Sequence, residues 1–318
     1  MDGMPHSLQV LAQPSRQRTL AAAISCAGIG LHSGKRVNLL LRPAPVRHGI
    51  VFRRTDLAVP CDIPARFDHV ADTRLCTMLA HKDRPEIRVG TVEHLLAALA
   101  GCGIHNLLIE IDGPEVPILD GSSSSFVFLI DCAGIAEQAA PVARIEVLRT
   151  VRAEQGTAFA ELRPSAFGLD MAVSIEFEAA AIGRQAFSTR LTPETFRTDL
   201  ARARTFTMAQ DVKALRKAGL ALGGSLDNAV VVDGAEILNP AGLRMRDEFV
   251  RHKMLDAVGD LSLAGAELSG RLVAHRAGHA LNNQLLHKLF SDDLNWRLVT
   301  HEADAQVIWQ GQPVAAAA

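Results

Sequence analysis

Tyrosine is absent from this chain of 318 residues, and aromatic residues make up only 4% of it. The lack of tyrosine removes one common general acid from any catalytic scheme. Basic and acidic residues nearly balance, 33 against 35, so the formal net charge is −2. Basic runs interleaved with aromatic residues are also missing, and composition therefore argues against a nucleic-acid-binding protein.

Cysteine is scarce as well. The five cysteines are odd in number and show no C-x-x-C spacing, which argues against a disulfide framework and against a zinc site made of thiolates. The first twenty residues lack the apolar core of a signal peptide, and no apolar run is long enough to span a bilayer. We therefore expect a protein of the cytoplasm with reduced thiols and no membrane span.

The hydrophobic content is high enough for large cores, since 48% of the residues are hydrophobic and 21% are charged. A proline-containing segment at 139–141 is a plausible linker, and it predicts domains over residues 18–138 and 143–310. The chain ends, up to about Gln17 and from Pro313 onward, are expected to be unstructured.

One predicted helix, over residues 247–263, has a notable polar stripe. Residues four apart share a helix face, so His252, Asp256 and Asp260 place an imidazole and two carboxylates along one line. An imidazole and a carboxylate at this spacing can bind one metal ion. Taken alone, such a pattern is more often a surface helix with solvated charges, so a metal site needs a further ligand from elsewhere.

A second predicted helix, within residues 90–101, offers that ligand. It begins with Glu93 and His94, and His94 would join His252 and Asp256 as a set of two imidazoles and one carboxylate. Catalytic zinc sites use three protein ligands and leave one position to a water molecule, whose pKa falls to about 7. Glu93 is placed to accept a proton as general base.

Other polar residues could complete a hydrolytic site. His279, in a predicted loop, could donate a proton if Asp260 keeps it cationic, although a lone histidine in a loop is more often structural. Lys253 could neutralise an anionic substrate group, and Thr205 could donate a hydrogen bond to a developing oxyanion.

The two halves of the chain show a weak internal repeat. The segment Leu-Arg-Pro occurs at residues 41–43 and 162–164, and residues 92–101 resemble residues 250–259. The first of these helical segments is expected to end with Gly101 as its C-cap. Chance accounts for such short matches equally well. If the repeat is real, the two helices face each other across a domain interface, where ligand sites are frequent.

Seven motifs occur together in the order found in one known family: GLHSG (30–34), TVEHL (91–95), PILDGS (117–122), ARTF (203–206), GGS (223–225), DEFVRHKMLD (247–256) and GHALNN (278–283). Through them the chain resembles the UDP-3-O-acyl-N-acetylglucosamine deacetylases, zinc amidases of lipid A synthesis in Gram-negative bacteria. The resemblance runs from about Arg18 to about Trp309.

The resemblance implies a fold, a reaction and site residues. The fold is α+β, with two pseudo-repeated α/β domains, each a small sheet with a helical layer, and helices sandwiched between the two sheets. The reaction is hydrolysis of the N-acetyl group of a small-molecule UDP-sugar by a monomer. The implied roles are one zinc ion on His94, His252 and Asp256; Glu93 as base; His279, oriented by Asp260, as acid; and Thr205 at the oxyanion.

The resemblance also implies substrate contacts. An insertion over about 207–236 would form an apolar passage for the acyl chain, Phe177 would stack on uracil, and the implied contacts are Lys253, Phe177, Phe206, Met208, Val212, Leu226 and Arg276. Two positions depart from the family pattern: Arg276 stands where many members have lysine, and Met208 where an aromatic residue occurs.

Two other functions remain as alternatives. The segment DGSSSS (120–125) could cradle a phosphate at a helix N-terminus, as in a small-molecule kinase of the GHMP type, but this leaves the histidine and carboxylate set unexplained. A sugar-nucleotide binder that holds zinc without catalysis is the other, and such a binder needs neither Glu93 nor His279.

Overall fold

The structure is a computed structural model that describes residues 15–166 and 168–300. The strands are β1 (Arg16–Leu20), β2 (Ile24–Ile29), β3 (Arg36–Pro43), β4 (Ile50–Arg54), β5 (Cys61–Pro64), β6 (Val70–Asp72), β7 (Met78–Ala80), β8 (Arg88–Val89), β9 (Leu107–Ile111), β10 (Ile135–Pro141), β11 (Ala143–Val147), β12 (Val151–Gln155), β13 (Ala158–Arg163), β14 (Leu169–Glu176), β15 (Arg184–Leu191), β16 (Phe206–Met208), β17 (Val230–Asp233), β18 (Glu236–Ile237), β19 (Glu267–His275) and β20 (Trp296–Thr300). The helices are α1 (Glu93–Gly101), α2 (Ser124–Ala133), α3 (Pro193–Thr195), which a π-helical turn continues, α4 (Ala209–Lys217), α5 (Glu248–Ser262) and α6 (His279–Phe290).

Two larger sheets share one topology. The first has the strand order β2-β3-β9-β4-β5, and the second contains the path β12-β13-β19-β14-β15, extended by β11 and β20. In both paths the central strand pairs antiparallel with the second strand and parallel with the fourth. The Leu-Arg-Pro segments lie at corresponding places, at the ends of β3 and β13. The repeat seen in the sequence therefore corresponds to a repeated arrangement of strands.

Alternating apolar residues explain why each sheet has a covered face. Successive side chains of a strand point to opposite faces, and in β3 Val37, Leu39 and Leu41 are all buried. In β14 every second residue from Leu169 to Ile175 is likewise buried. The buried faces join one apolar core with the helices that lie between the sheets. The α+β fold with sandwiched helices is confirmed.

The two repeated helices, α1 and α5, cross at very close range. A Cβ atom on Gly259 would lie 2.1 Å from the carbonyl oxygen of Glu93, so only glycine permits this approach. The prediction that these helices are neighbours is confirmed. The predicted C-cap at Gly101 is wrong: this residue is the last of α1, it lacks a Cβ because the ring of Phe196 packs there, and Gly103 takes the left-handed conformation instead.

Two expectations about chain ends and linkers change. Strand β1 begins at Arg16 and pairs with β10, so the unstructured lead was predicted too long, and the proposed linker at 139–141 lies within β10. The rest of the predicted lead, the tail from Pro313 and the position of Trp309 lie outside the described residues. Among the helices of the described part, none has the length and apolar character needed to cross a membrane.

Candidate metal centre

Three side chains from the two crossing helices meet at their interface. His94 lies at the start of α1, whereas His252 and Asp256 lie one turn apart on α5, and all three are buried. The Nε2 atoms of His94 and His252 lie 3.5 and 3.4 Å from Oδ1 of Asp256. A tetrahedral metal with bonds of about 2.0–2.1 Å holds its ligand atoms about 3.4 Å apart. The spacing of the three ligand atoms therefore fits one metal ion.

The tautomers and charges of these ligands also suit a cation. Nδ1 of His252 lies 3.1 Å from the carbonyl oxygen of Ala203, so it donates there and leaves Nε2 as an acceptor. Burial lowers the pKa of His252 to about 3, which keeps the imidazole neutral. Oδ1 of Asp256 is buried without a hydrogen-bond partner among the described residues. A buried carboxylate oxygen without a donor is costly, and a cation at this point would remove that cost.

The charge of Asp256 has a partner on the other oxygen. Lys253 donates from Nζ to Oδ2 of Asp256 over 2.7 Å. Burial works against ionisation of Asp256, but the positive charge of Lys253 outweighs it and holds the pKa well below its usual range. Burial likewise opposes the charge of Lys253, and the carboxylate of Asp256 overcomes it and raises the lysine pKa. Asp256 is therefore anionic at neutral pH, as a candidate metal ligand should be.

Glu93 lies beside the three candidate metal ligands but is not one of them. Its Oε2 accepts a hydrogen bond from the backbone amide of Thr77 over 3.0 Å, and its Oε1 lies 4.0 Å from Nε2 of His279. Burial raises the pKa of Glu93, and the positive charge of the neighbouring His279 opposes that rise. A buried carboxylate with a raised pKa is well suited to accept and release a proton.

His279 faces Glu93 from α6. The prediction that His279 lies in a loop is wrong, because it is the first residue of this helix. Its Nδ1 lies 2.8 Å from Oδ2 of Asp260, which also accepts from the side-chain amide of Asn282 over 2.8 Å. Burial disfavours the charged imidazole, but the carboxylate of Asp260 outweighs burial and raises the pKa of His279 to about 9. His279 is therefore a cation at neutral pH.

A short segment before β16 closes another side of the centre. Its Ala203 carbonyl accepts from His252, and the backbone of Thr205 bonds to Gly121 and Val230. Between them, the buried Arg204 pairs with the buried Glu248 over 2.8 Å at the start of α5. Thr205 is therefore carried on a segment that is attached both to α5 and to the first half of the chain.

Of the residues predicted to bind substrate, Phe177 and Phe206 belong to a row of aromatic rings, and Arg276 is not part of that row. Phe177, Phe206 and Phe249 form a row of edge-to-face rings, and the Phe206 ring centroid is 6.1 Å from that of His252. The row leads from the half-exposed Phe177 to the metal centre. Arg276, the residue directly after β19, is exposed and adopts a left-handed backbone, with a φ of 51°.

The predicted acyl passage corresponds to a distinct substructure. Residues 206–237 contain α4 and a small sheet of β16, β17 and β18. Met208 and Val212 are half-buried, and Leu226 is 42% exposed. None of the residues of α4 is fully buried, so the apolar side of this helix has little of the protein covering it.

The serine-rich segment at 120–125 has a structural arrangement. Asp120 accepts hydrogen bonds from the hydroxyls of Ser122, Ser124 and Ser125 and forms an ion pair with Arg244 over 2.9 Å. An anionic carboxylate thus occupies the place where a kinase loop would hold a phosphate. This arrangement argues against the kinase alternative.

Several residues at the centre were missed or only partly assigned from sequence. Thr77 contacts both Glu93 and Asp260, and Glu248 anchors the segment that carries Thr205. Thr77 and Asp260 are 183 residues apart in the chain, and no motif spacing links them. The Lys253–Asp256 contact was missed too, although its i,i+3 spacing is a signal that helix geometry provides.

Two imidazoles and a carboxylate with metal-site spacing, faced by a buried carboxylate and a cationic imidazole, define the class of metal-dependent hydrolases. A family model described as LpxC, UDP-3-O-acyl N-acetylglycosamine deacetylase, matches residues 17–291. The chain belongs to this family.

Curated relatives agree over nearly the whole chain. The UDP-3-O-acyl-N-acetylglucosamine deacetylase of Idiomarina loihiensis is 51% identical over 91% of this chain and 94% of its own length. The Myxococcus xanthus protein of the same name is 50% identical over 89% of both chains. That of Actinobacillus pleuropneumoniae is 47% identical over 92% of this chain and 95% of its own length.

Proposed function

We propose that this protein removes the acetyl group from the nitrogen of UDP-3-O-acyl-N-acetylglucosamine, giving UDP-3-O-acyl-glucosamine and acetate, in lipid A biosynthesis. The observation that carries the proposal is the buried set of His94, His252 and Asp256. Family membership supplies the substrate.

We further propose that the ion held by these three residues is Zn²⁺, which suits two imidazoles and one carboxylate. When bound, the ion supplies Lewis acidity, polarising the amide carbonyl and lowering the pKa of a water molecule. Lys253 keeps the outer oxygen of Asp256 occupied, so that Oδ1 remains directed at the ion.

In this proposal Glu93 accepts a proton from the attacking water, and His279 donates a proton to the leaving nitrogen. Oε1 of Glu93 takes the proton from the attacking water, because Oε2 is already engaged by the amide of Thr77. His279 gives the proton on Nε2 to the leaving nitrogen, since its Nδ1 is bonded to Asp260. The raised pKa of His279 ensures that this proton is present at neutral pH.

The remaining groups bind and orient substrate. The Thr205 hydroxyl donates to the oxygen that becomes negative as the carbonyl is attacked. Phe177 stacks on the uracil, Phe206 packs beside the sugar, and Arg276 contacts the diphosphate. Lys253 contacts the substrate beside its contact to Asp256. The enzyme is proposed to act as a cytoplasmic monomer.

The acyl chain is proposed to lie along the substructure of residues 207–236, against Met208, Val212 and Leu226. Two apolar side chains of this substructure are exposed: Leu222 is 52% exposed and Leu226 42%. Covering such surface with an alkyl chain stabilises the complex by about 0.8 kcal/mol for each buried CH₂. We therefore expect a sugar nucleotide with a long acyl chain to be preferred over its short-chain analogue.

An acetate-release assay with purified protein and UDP-3-O-acyl-N-acetylglucosamine tests the proposed function. We expect acetate and free amine in equal amounts, loss of release after a chelator, and recovery when one equivalent of Zn²⁺ is restored. Asp256→Ala serves as the variant with a broken metal site, which should bind less metal and lose turnover. Binding of the sugar nucleotide with no acetate release by the metal-loaded protein would instead support the non-catalytic binder.

Substitution of Leu226 tests the acyl passage. Leu226→Trp should reduce kcat/KM for a long-acyl substrate about tenfold more than for a short-acyl substrate, because the larger side chain fills the space of the alkyl chain. Leu294→Trp is the matched control, since Leu294 is 57% exposed and lies outside residues 207–236. Equal losses for both substrates would place the acyl chain elsewhere.

A further inference from the structure

Thr77 lies in the turn between β6 and β7 and is 2% exposed. Its hydroxyl donates to Oδ1 of Asp260 over 2.5 Å, and its backbone amide donates to Oε2 of Glu93 over 3.0 Å. Its carbonyl accepts from the amide of Val92, the residue before α1. A single residue is therefore bonded to both carboxylates that serve the two proton transfers.

We propose that Thr77 is a positioning residue for the reaction, which holds the base Glu93 and the acid pair Asp260–His279 in one fixed relation. This inference rests on the proposed function. The last torsion of an aspartate side chain is broad, so a single bond to His279 would not fix the plane of the Asp260 carboxylate. With Asn282 on Oδ2 and Thr77 on Oδ1, both oxygens are held and that plane cannot rotate.

The same residue determines which oxygen of Glu93 is free. The amide of Thr77 occupies Oε2, and the remaining Oε1 is the atom that lies 4.0 Å from Nε2 of His279. The nitrogen that donates the proton and the oxygen that accepts one are thus both located relative to Thr77. If Thr77 only satisfied the buried carboxylate of Asp260, its hydroxyl alone would be enough. To position Glu93 and Asp260 together, Thr77 uses both its hydroxyl and its backbone amide.

Two variants of similar size separate positioning from packing. Thr77→Val removes the hydroxyl and keeps the shape, whereas Thr77→Ser keeps the hydroxyl and removes a methyl group. Partners that orient the groups of a metal site are typically worth about 10–100-fold in activity. We expect Thr77→Val to lower kcat by about tenfold or more with KM nearly unchanged and full metal content, and Thr77→Ser to retain most of kcat.

A measurement that does not depend on turnover completes the test. In the nuclear magnetic resonance spectrum, the Nδ1 proton of His279 should exchange faster with water in Thr77→Val than in the wild-type protein or in Thr77→Ser. Wild-type kcat and proton exchange in Thr77→Val would overturn the inference, and so would equal losses in both variants, which indicate packing. Absence of acetate release by the wild-type protein would refute the proposed function, and the proton-exchange measurement would still decide the role of Thr77.

Discussion

The Glu93→Gln variant is expected to bind its metal ion in full and to lose a factor of about 10²–10⁴ in kcat, the usual contribution of a general base. Glutamine keeps the size of the side chain and can still accept the hydrogen bond from the amide of Thr77. It cannot take a proton from water at neutral pH. His94, the next residue, keeps its place on α1, so the candidate metal ligands should be unaffected.

Metal content per chain and single-turnover rate are the measurements for Glu93→Gln, and Glu110→Gln is its matched control. Glu110 lies in β9, in the same half of the chain, and forms a surface ion pair with Arg42, so the same chemical change there should leave kcat near the wild-type value. A Glu93→Gln enzyme with a wild-type rate would eliminate Glu93 as the base. Loss of the metal together with activity would indicate that Glu93 supports the ligands instead.

The local part of this site could be predicted from sequence because helix geometry determines it. His252 and Asp256 are four residues apart, and a helix of 3.6 residues per turn places them on one face whatever the rest of the chain does. The contact of His94 with this pair is harder to predict from sequence, because it depends on how two helices cross. The repeated pattern ending at Gly101 and Gly259 was the signal that predicted it.

The residues that sequence reasoning missed have in common that long-range packing brings them together. Thr77 reaches Asp260 only because the turn between β6 and β7 lies over the crossing of α1 and α5. The pattern of a short polar turn residue carries no information about its partner. Gly101 illustrates a related error: a glycine at a helix end fits a cap, but here tertiary packing of Phe196 determines its role.

The geometry gives the two groups proposed to transfer protons, Glu93 and His279, very different surroundings. Glu93 and His279 are both buried, and burial alone would leave both neutral. Asp260 prevents this for His279 by supplying a charge 2.8 Å away. Two further donors, Thr77 and Asn282, hold the Asp260 carboxylate in place. Glu93, the proposed base, has one amide donor and keeps a raised pKa. A buried carboxylate with a raised pKa and a strongly paired imidazole thus suit the proposed roles of base and acid.

The His279→Gln variant is expected to lower kcat by about 10²–10⁴ and to remove the basic limb of the pH profile of kcat/KM. The pKa of His279 is raised to about 9, so the protonated acid is present below that pH and is lost as the pH rises through it. A bound cation disfavours a second positive charge nearby, and the limb should therefore fall at or below about pH 9. Asp260→Asn should move the limb further down, because Asp260 is the main group that raises this pKa.

Stability should follow the same sign as activity. An imidazole whose pKa is raised on folding contributes stability that is complete below its ordinary pKa of 6.5 and disappears as the pH rises through about 9. The wild-type protein should thus lose part of its free energy of unfolding between these values, and His279→Gln should not. His287→Gln, an exposed change two turns along α6, is the control and should preserve both profiles. A basic limb that persists unchanged in His279→Gln would assign the leaving-group proton to a different residue.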